Sequence, residues 1–184
     1  MRSRQVFVIT SLMQLLSRTT KLGWFEDDQH RGIVDDAKKF LSMNSLDHYL
    51  LGLRVLNQLV AEMNQPLPGR SLTQHRKCAV SFRDIGLLSI FQTALSSLRE
   101  FGGNMHNETG DRIKGQGILL ALKCLCFDFV GTSLDESNED LGTIQVPSAW
   151  RPVMEEPNTM QLFFDIYGST QPPLSNQAIE CLVR

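Results

Sequence analysis

The chain has 184 residues, of which 42% are hydrophobic and 21% are charged, and its formal net charge is −2. This balance excludes an intrinsically disordered chain, and it argues against a dedicated nucleic-acid-binding protein, which carries a clear excess of basic residues. The longest uninterrupted apolar run, Ile118 to Leu122, is far shorter than the roughly 20 residues that cross a bilayer, so composition predicts a soluble globular protein without membrane insertion.

The first third of the chain has the apolar periodicity of α-helices. A first helix runs from about Val6 to Gly23, and a shorter one covers Ile33 to Leu41. Ser45 is placed to cap a third helix, whose apolar stripe ends near Met63. The stripe expected to form the buried face of the first helix consists of Ile9, Leu12, Met13 and Leu16.

The middle of the chain continues the helical pattern. A basic helical stretch covers Leu72 to Arg83, and after Gly86 a strong apolar stripe runs to Phe101. The next helix, Arg112 to Val130, is apolar on most sides. A helix of this kind must be covered on most sides, so we expect it to be central in its layer.

The last part of the chain begins with a polar stretch that has no helical stripe. Trp150 follows in a short helical turn and is expected to pack in the core, where it would pin this stretch to the helices. Asn158 and Ser175 are placed to cap two final helices.

These patterns predict an all-α protein, because helices cover roughly 60% of the chain against about one third in ordinary proteins. The last helix is still running at Arg184, and the first begins almost at residue 1. Successive helix pairs are about 40 residues long, which is the length of the repeat in HEAT-type arrays. We therefore expect residues 1–184 to be a single stretch of HEAT-like antiparallel helix pairs, an α-solenoid fragment truncated at both ends.

Residue patterns for catalysis or metal binding are absent from the sequence. Cys124 and Cys126 are separated by one residue, which is the wrong spacing for a redox or zinc pair, and all four cysteines are expected to be free and mostly buried. His75 and Cys78 share a helical face, but no third partner accompanies them, so a surface histidine beside a buried cysteine is expected. The sequence predicts no catalytic, cofactor-binding or metal-ligating residue, and no cofactor.

A basic cluster is the first candidate contact for a partner. Arg76 and Arg83 are seven residues apart on a predicted helix, with Lys77 beside them, so they lie roughly on one face. They fit an acidic partner or RNA, and the alternative is an ordinary solvated face. No aromatic residues interleave to stack bases, which disfavours direct nucleic-acid binding.

An acidic run is the second candidate contact. It lacks the ligand spacing and the glycine of a calcium loop. It fits a basic partner, and the alternative is a merely solvated loop. Its carboxylates belong to Asp135, Glu136, Glu139 and Asp140.

Several stretches, in order along the chain, resemble the exportin-7 and Ran-binding protein 17 group of nuclear transport receptors, within the importin-β superfamily. The longest runs from Cys126 through Asp140 to Arg151. The others are Thr20 to Phe25, His75 to Asp84, and Gln161 to Asp165.

The resemblance implies properties that composition does not show. Members are right-handed solenoids of HEAT-like helix pairs that bind Ran-GTP, protein cargo and nucleoporins, and they shuttle between cytoplasm and nucleus. They are not enzymes. The chain would correspond to an internal segment just after the amino-terminal Ran-binding repeat, and export or import direction stays open. The alternatives are a helical interaction scaffold without Ran dependence and, as the least favoured reading, a small helical enzyme.

Overall fold

A computed structural model of the chain describes residues 2–102, 108–129 and 146–184, with side chains from residue 6 onward. Helices dominate this part of the chain and no β-strand occurs in it, which confirms the all-α class. The α-helices are α1 (Arg2–Leu22), α2 (Ile33–Leu41), α3 (Leu46–Met63), α4 (Leu72–Phe82), α5 (Leu88–Phe101), α6 (Glu108–Leu125), α7 (Arg151–Met154), α8 (Pro157–Ser169) and α9 (Leu174–Val183). A π-helical turn, Arg83–Leu87, joins α4 to α5.

The helices form two adjoining rows. In the first row α1 packs on α3, α3 on α6, and α6 on α9. In the second row α2, α5 and α8 each pack on the helix that follows them in the chain. Successive helix pairs therefore stack side by side, which is the arrangement of an α-solenoid.

The expected centre of the layer is confirmed. α6 contacts α3, α5 and α9, and Ile113, Ile118 and Leu120 are fully buried. The helix ends at Leu125 instead of Val130, and Phe127 and Phe129 are nevertheless buried. Apolar composition correctly predicted burial but overestimated the length of the helix, because an irregular segment can bury apolar side chains as well as a helix does.

The predicted caps of the last two helices are wrong. α8 begins at Pro157, one residue before Asn158, and α9 begins at Leu174, so that Ser175 lies buried inside the helix. Proline is favoured in the first helical turn, because its missing N–H would have no partner there and its φ angle suits the helix. Pro157 therefore determines where α8 begins, whereas the polar side chain of Asn158 predicted a later start for this helix.

The predicted buried face of α1 is also wrong. Only Met13 of that stripe is buried, whereas Leu12 is 59% and Leu16 41% exposed. Ser17 and Thr20 face the protein interior with Met13. Because α1 is apolar on two sides, periodicity alone could not decide which side packs on α3.

A series of aromatic side chains runs through the core. Phe82 contacts Trp24 and Phe127, with ring centroids 5.7 and 5.9 Å apart. Trp150 stacks on Phe91 and meets the edge of Phe129, each at 5.2 Å. The series connects α4 and α5 to the segment after α6, and it confirms that Trp150 packs in the core.

One continuous helical stretch, Leu72–Phe101, is long and apolar enough to cross a membrane by length and composition alone. It reaches that length only because the π-helical turn joins α4 to α5. Half of its most apolar part is buried in the protein, and Ile90, Phe91 and Leu95 of the same stretch are buried. Its apolar side chains thus supply the core, as those of many buried helices do.

Candidate partner-binding surface

The basic residues predicted to contact a partner lie on and after α4. Ser71 caps this helix, and its hydroxyl accepts a hydrogen bond from the Gln74 amide at 3.2 Å. Lys77 is exposed, whereas Arg76 is half-buried and already has an interaction partner within the protein. Of the two basic residues predicted on α4, only Lys77 is therefore fully available to a partner, and Arg76 is less available than the sequence suggests.

Arg83 connects α4 to the segment that follows α6. Its guanidinium donates a hydrogen bond to the carbonyl oxygen of Phe129, and its Nε lies 2.7 Å from Oδ1 of Asp84. Only 20% of the side chain is exposed. Arg83 thus links the π-helical turn to the segment after α6. Helical spacing alone did not suggest this structural role.

The four predicted acidic contact residues, Asp135, Glu136, Glu139 and Asp140, lie outside the described residues. The residues on either side of this segment are described and are close together. Phe129 and Trp150 are in edge-to-face contact and are 3% and 2% exposed. The described residues on either side of the acidic segment therefore meet in the core, and Phe129 also accepts a hydrogen bond from Arg83.

Lys21, which the sequence did not single out, lies in a buried polar cluster between α1, α3 and α4. Its Nζ donates to the carbonyl oxygen of Glu62 at 2.7 Å and to that of Gln65, at the end of α3. The same Nζ lies 3.3 Å from His75 Nδ1. Lys21 thus donates to two carbonyl groups at the end of α3, where no further helical turn supplies N–H groups in full.

His75 is buried, so the surface position expected for it is wrong: only 6% of the residue is exposed. Burial, followed by the nearby charge of Lys21, lowers the pKa of His75. Burial also lowers the pKa of Lys21. A neutral imidazole accepts a hydrogen bond from Lys21 through Nδ1, whereas an imidazolium would only repel it.

The cysteines behave as predicted, with one exception. All four are free, and Cys78, Cys124 and Cys181 are buried, but Cys126 is exposed. Burial raises the pKa of Cys78 to about 11 and that of Cys181 to about 12. Since the thiolate is the nucleophilic form of cysteine, the raised pKa disfavours Cys78 as a nucleophile, and its thiol faces the Lys21 carbonyl oxygen and the Met63 sulfur.

A cavity of about 190 Å³ opens above this cluster, between the end of α1 and the start of α4. Lys21 and His75 contribute polar groups to its lining, while Phe25 and Leu67 contribute apolar ones. Arg70 also lines it. No group of three or more histidine, cysteine, aspartate or glutamate side chains able to hold a metal ion occurs within the described ranges.

Lowering the pH from 7.5 to 5.5 should destabilise the protein partly through His75. The pKa of His75 is lower in the folded state than its ordinary value of 6.5, so the unfolded chain binds more protons as the pH falls. The stabilising contribution of the neutral ring is complete above about pH 6.5 and is lost as the pH falls through the lowered folded-state pKa. Urea unfolding at both pH values, followed by circular dichroism, measures this loss.

The His75→Gln variant should lose less stability than the unmodified protein over the same pH range. His48→Gln is the matched control, because His48 is exposed, and it should keep the original pH dependence. An unchanged pH dependence in His75→Gln would contradict the assignment.

Comparison with known proteins found relatives over nearly the whole chain. Ran-binding protein 17 from Homo sapiens is 42% identical over 97% of the chain, and Exportin-7-B from Xenopus laevis is 39% identical over the same share. Ran-binding protein 16 from Drosophila melanogaster is 38% identical over 98% of it. The chain spans about one sixth of the length of these relatives, 17% in each case. No protein-family profile and no solved structure matches it.

Proposed function

The chain is homologous, over nearly its whole length, to one segment of the exportin-7 and Ran-binding protein 17 group, and on that premise we propose that it serves as a segment of a nuclear transport receptor that binds Ran-GTP and protein cargo. The identity of 38–42% to relatives named Ran-binding proteins and exportins is the observation that carries this proposal. The stacked helix pairs support it, since arrays of this kind present extended binding surfaces.

The chain occupies an internal part of such a receptor. Residues 1–184 form one stretch of helical repeats, and further helix pairs adjoin it on both sides. A receptor built in this way shuttles between cytoplasm and nucleus, meets nucleoporins during passage, and does not itself catalyse a reaction. Ran-GTP and cargo would each favour one curvature of the array, so that binding of one strengthens binding of the other.

The charged contacts within this segment are the acidic carboxylates of residues 135–140 and the basic group on α4. Lys77 is the exposed member of the basic group, with Arg76 and Arg83 beside it. Arg83 donates a hydrogen bond to the carbonyl oxygen of Phe129, the last described residue before the acidic segment, which supports treating the two charged features as neighbours. Partners with both basic and acidic patches would be recognised there by charge complementarity.

Reversing the charge of the acidic segment should weaken partner binding. In a receptor that contains this chain, changing Asp135, Glu136, Glu139 and Asp140 to lysine should reduce affinity for Ran-GTP or for cargo by about tenfold at low salt, since exposed ion pairs contribute about 0.2–1 kcal/mol each. The loss should shrink as salt is added. Titration calorimetry measures both effects.

The matched control reverses four exposed carboxylates elsewhere: Asp28, Asp35, Asp47 and Glu155. It changes the net charge by the same amount and should leave affinity nearly unchanged. Unaltered affinity of the acidic-segment variant at low salt would contradict a role for this segment.

A scaffold without Ran dependence is the second candidate function, favoured by the same stacked helices. Capture of the receptor on immobilised Ran separates the two. Stronger capture by Ran loaded with GTP than by Ran loaded with GDP supports the transport receptor, and equal or absent capture supports the scaffold.

A further inference from the structure

The cavity between the end of α1 and the start of α4 combines apolar and polar walls. Leu22, Phe25 and Leu67 line it with apolar side chains, and Arg70 and His75 line it with polar ones. Sites for small molecules have this composition, in which apolar groups bind the body of the ligand and a few polar groups orient it. The cavity reaches the buried cluster between α1, α3 and α4, so it is formed by helix packing inside the described part of the chain.

The volume of the cavity limits what it can hold. It measures about 190 Å³, and an engineered apolar cavity of about 150 Å³ in another protein holds one benzene molecule. A ligand of matching size therefore has one ring, or a branched chain of similar bulk, and one small polar group. Phe25 is 57% exposed and Leu22 is 41% exposed, so part of their apolar surface is available to contact such a ligand.

Lys21 determines which hydrogen-bonding group His75 presents to the cavity. The Lys21 Nζ lies 3.3 Å from His75 Nδ1, and an ammonium group can only donate. Nδ1 must therefore be the acceptor, and the proton of the neutral ring is on Nε2. Nε2 forms no hydrogen bond with the described residues, although only 6% of His75 is exposed. Its N–H is a buried donor that a bound molecule with an acceptor oxygen would satisfy.

The charges around the cavity favour an anion. Lys21 carries a positive charge next to His75, and Arg70 is exposed and forms no ion pair with the described residues. α4 begins at the cavity, and the positive end of a helix dipole attracts negative charge. Glu26 is the one carboxylate among the lining residues, so positive charge exceeds negative charge there.

We propose that this cavity binds a small carboxylic acid in its ionised form, with an apolar body the size of one ring. The carboxylate accepts the hydrogen bond from His75 Nε2 and lies near the Arg70 guanidinium, while the apolar body packs on Phe25 and Leu67. Lys21 adds positive charge but no hydrogen bond to the ligand, because its N–H groups are already directed at acceptors within the protein. The site goes beyond the proposed transport function and does not depend on it.

Saturation-transfer NMR of the protein with phenylacetate tests the proposal. Phenylacetate has one ring and one carboxylate, and it should bind saturably at neutral pH and low salt with a dissociation constant of about 1 mM, an affinity within reach of a ligand of this size. Phenylacetamide keeps the ring but lacks the charge, and it should bind about fivefold more weakly. Added salt should weaken the binding of phenylacetate more than that of phenylacetamide.

Substitutions around the cavity should change phenylacetate binding in both directions. Arg70→Gln removes a cation and should weaken binding about fivefold, whereas Glu26→Gln removes the opposing carboxylate and should strengthen it about twofold. Leu67→Trp fills the cavity and should abolish binding. Arg112→Gln and Glu155→Gln are the matched controls, because both side chains are exposed and neither lines the cavity. Circular dichroism verifies folding, and Leu67→Phe replaces the tryptophan variant if that variant unfolds.

Four results would overturn the proposal: no saturable binding of phenylacetate, equal binding of phenylacetate and phenylacetamide, unchanged phenylacetate binding in the variant that fills the cavity, or unchanged binding in Arg70→Gln. Ran takes no part in these measurements. Failure of carboxylate binding therefore leaves the proposed transport function standing, and failure of Ran capture leaves the carboxylate site standing.

Discussion

Replacing Trp150 with alanine should lower the free energy of unfolding by about 3–5 kcal/mol, the usual cost of removing a buried aromatic side chain. Trp150 is 2% exposed and contacts the rings of Phe91 and Phe129, so its removal leaves a cavity between α5 and the segment after α6. Aromatic contacts add to the loss. Urea unfolding followed by circular dichroism gives the value.

The same substitution should also weaken partner binding through the acidic segment. Phe129 and Trp150 precede and follow that segment and their rings are in contact, so the substitution would separate the described residues on its two sides. Trp150→Phe should retain most of the stability because an aromatic ring still fills the site. Phe25→Ala is the exposed control, since Phe25 is 57% exposed, and it should change the free energy of unfolding by no more than about 0.5 kcal/mol. A similarly small change in Trp150→Ala would show that the ring does not hold this region.

Replacing Gly52 with alanine should destabilise the protein by about 1–3 kcal/mol, the range found when a packed interface is overfilled. A Cβ atom at position 52 would lie 2.8 Å from the carbonyl oxygen of Ala37 and 2.9 Å from the side chain of Leu41. The first neighbour belongs to the backbone of α2 and cannot rotate away. α2 and α3 would therefore have to separate.

Gly168→Ala provides a control for the change in helix propensity. Nothing lies within 4 Å of a Cβ atom added at Gly168, which is also inside a helix. Alanine should therefore raise the free energy of unfolding there by about 0.5–1 kcal/mol. Opposite signs at the two positions, measured by the same unfolding experiment, would separate the steric effect from propensity. Stabilisation at both positions would mean that α2 and α3 pack less closely than the distances indicate.

Local sequence patterns predicted the helix ends that local interactions determine. The start and end of α3 are as expected from Ser45 and from the stripe ending at Met63, although the Ser45 side chain makes no capping hydrogen bond. The ends of α6 and the caps of α8 and α9 were misplaced. Those errors arise where proline geometry or burial of an irregular segment outweighs helix periodicity.

The candidate site was less predictable because its contacts join distant parts of the chain. Lys21 and His75 meet across 54 residues, and Arg83 reaches Phe129 across 46. No spacing rule within one helix reports such contacts. The acidic residues at 135–140 stay a prediction, because they lie outside the described residues.

The sequence by itself determined the helical class, the burial of Trp150 and the kinship with exportin-7 and Ran-binding protein 17, because periodicity, composition and residue identity are carried along the chain. The tertiary structure decided which side of α1 packs inward. It also showed that His75 is buried beside Lys21 and that Arg83 forms a hydrogen bond with the segment after α6. A helix that is apolar on two sides offers two equivalent faces until a neighbour covers one of them. Here Ser17, Thr20 and Met13 turn towards the interior, and Leu12, Leu15 and Leu16 stay largely exposed.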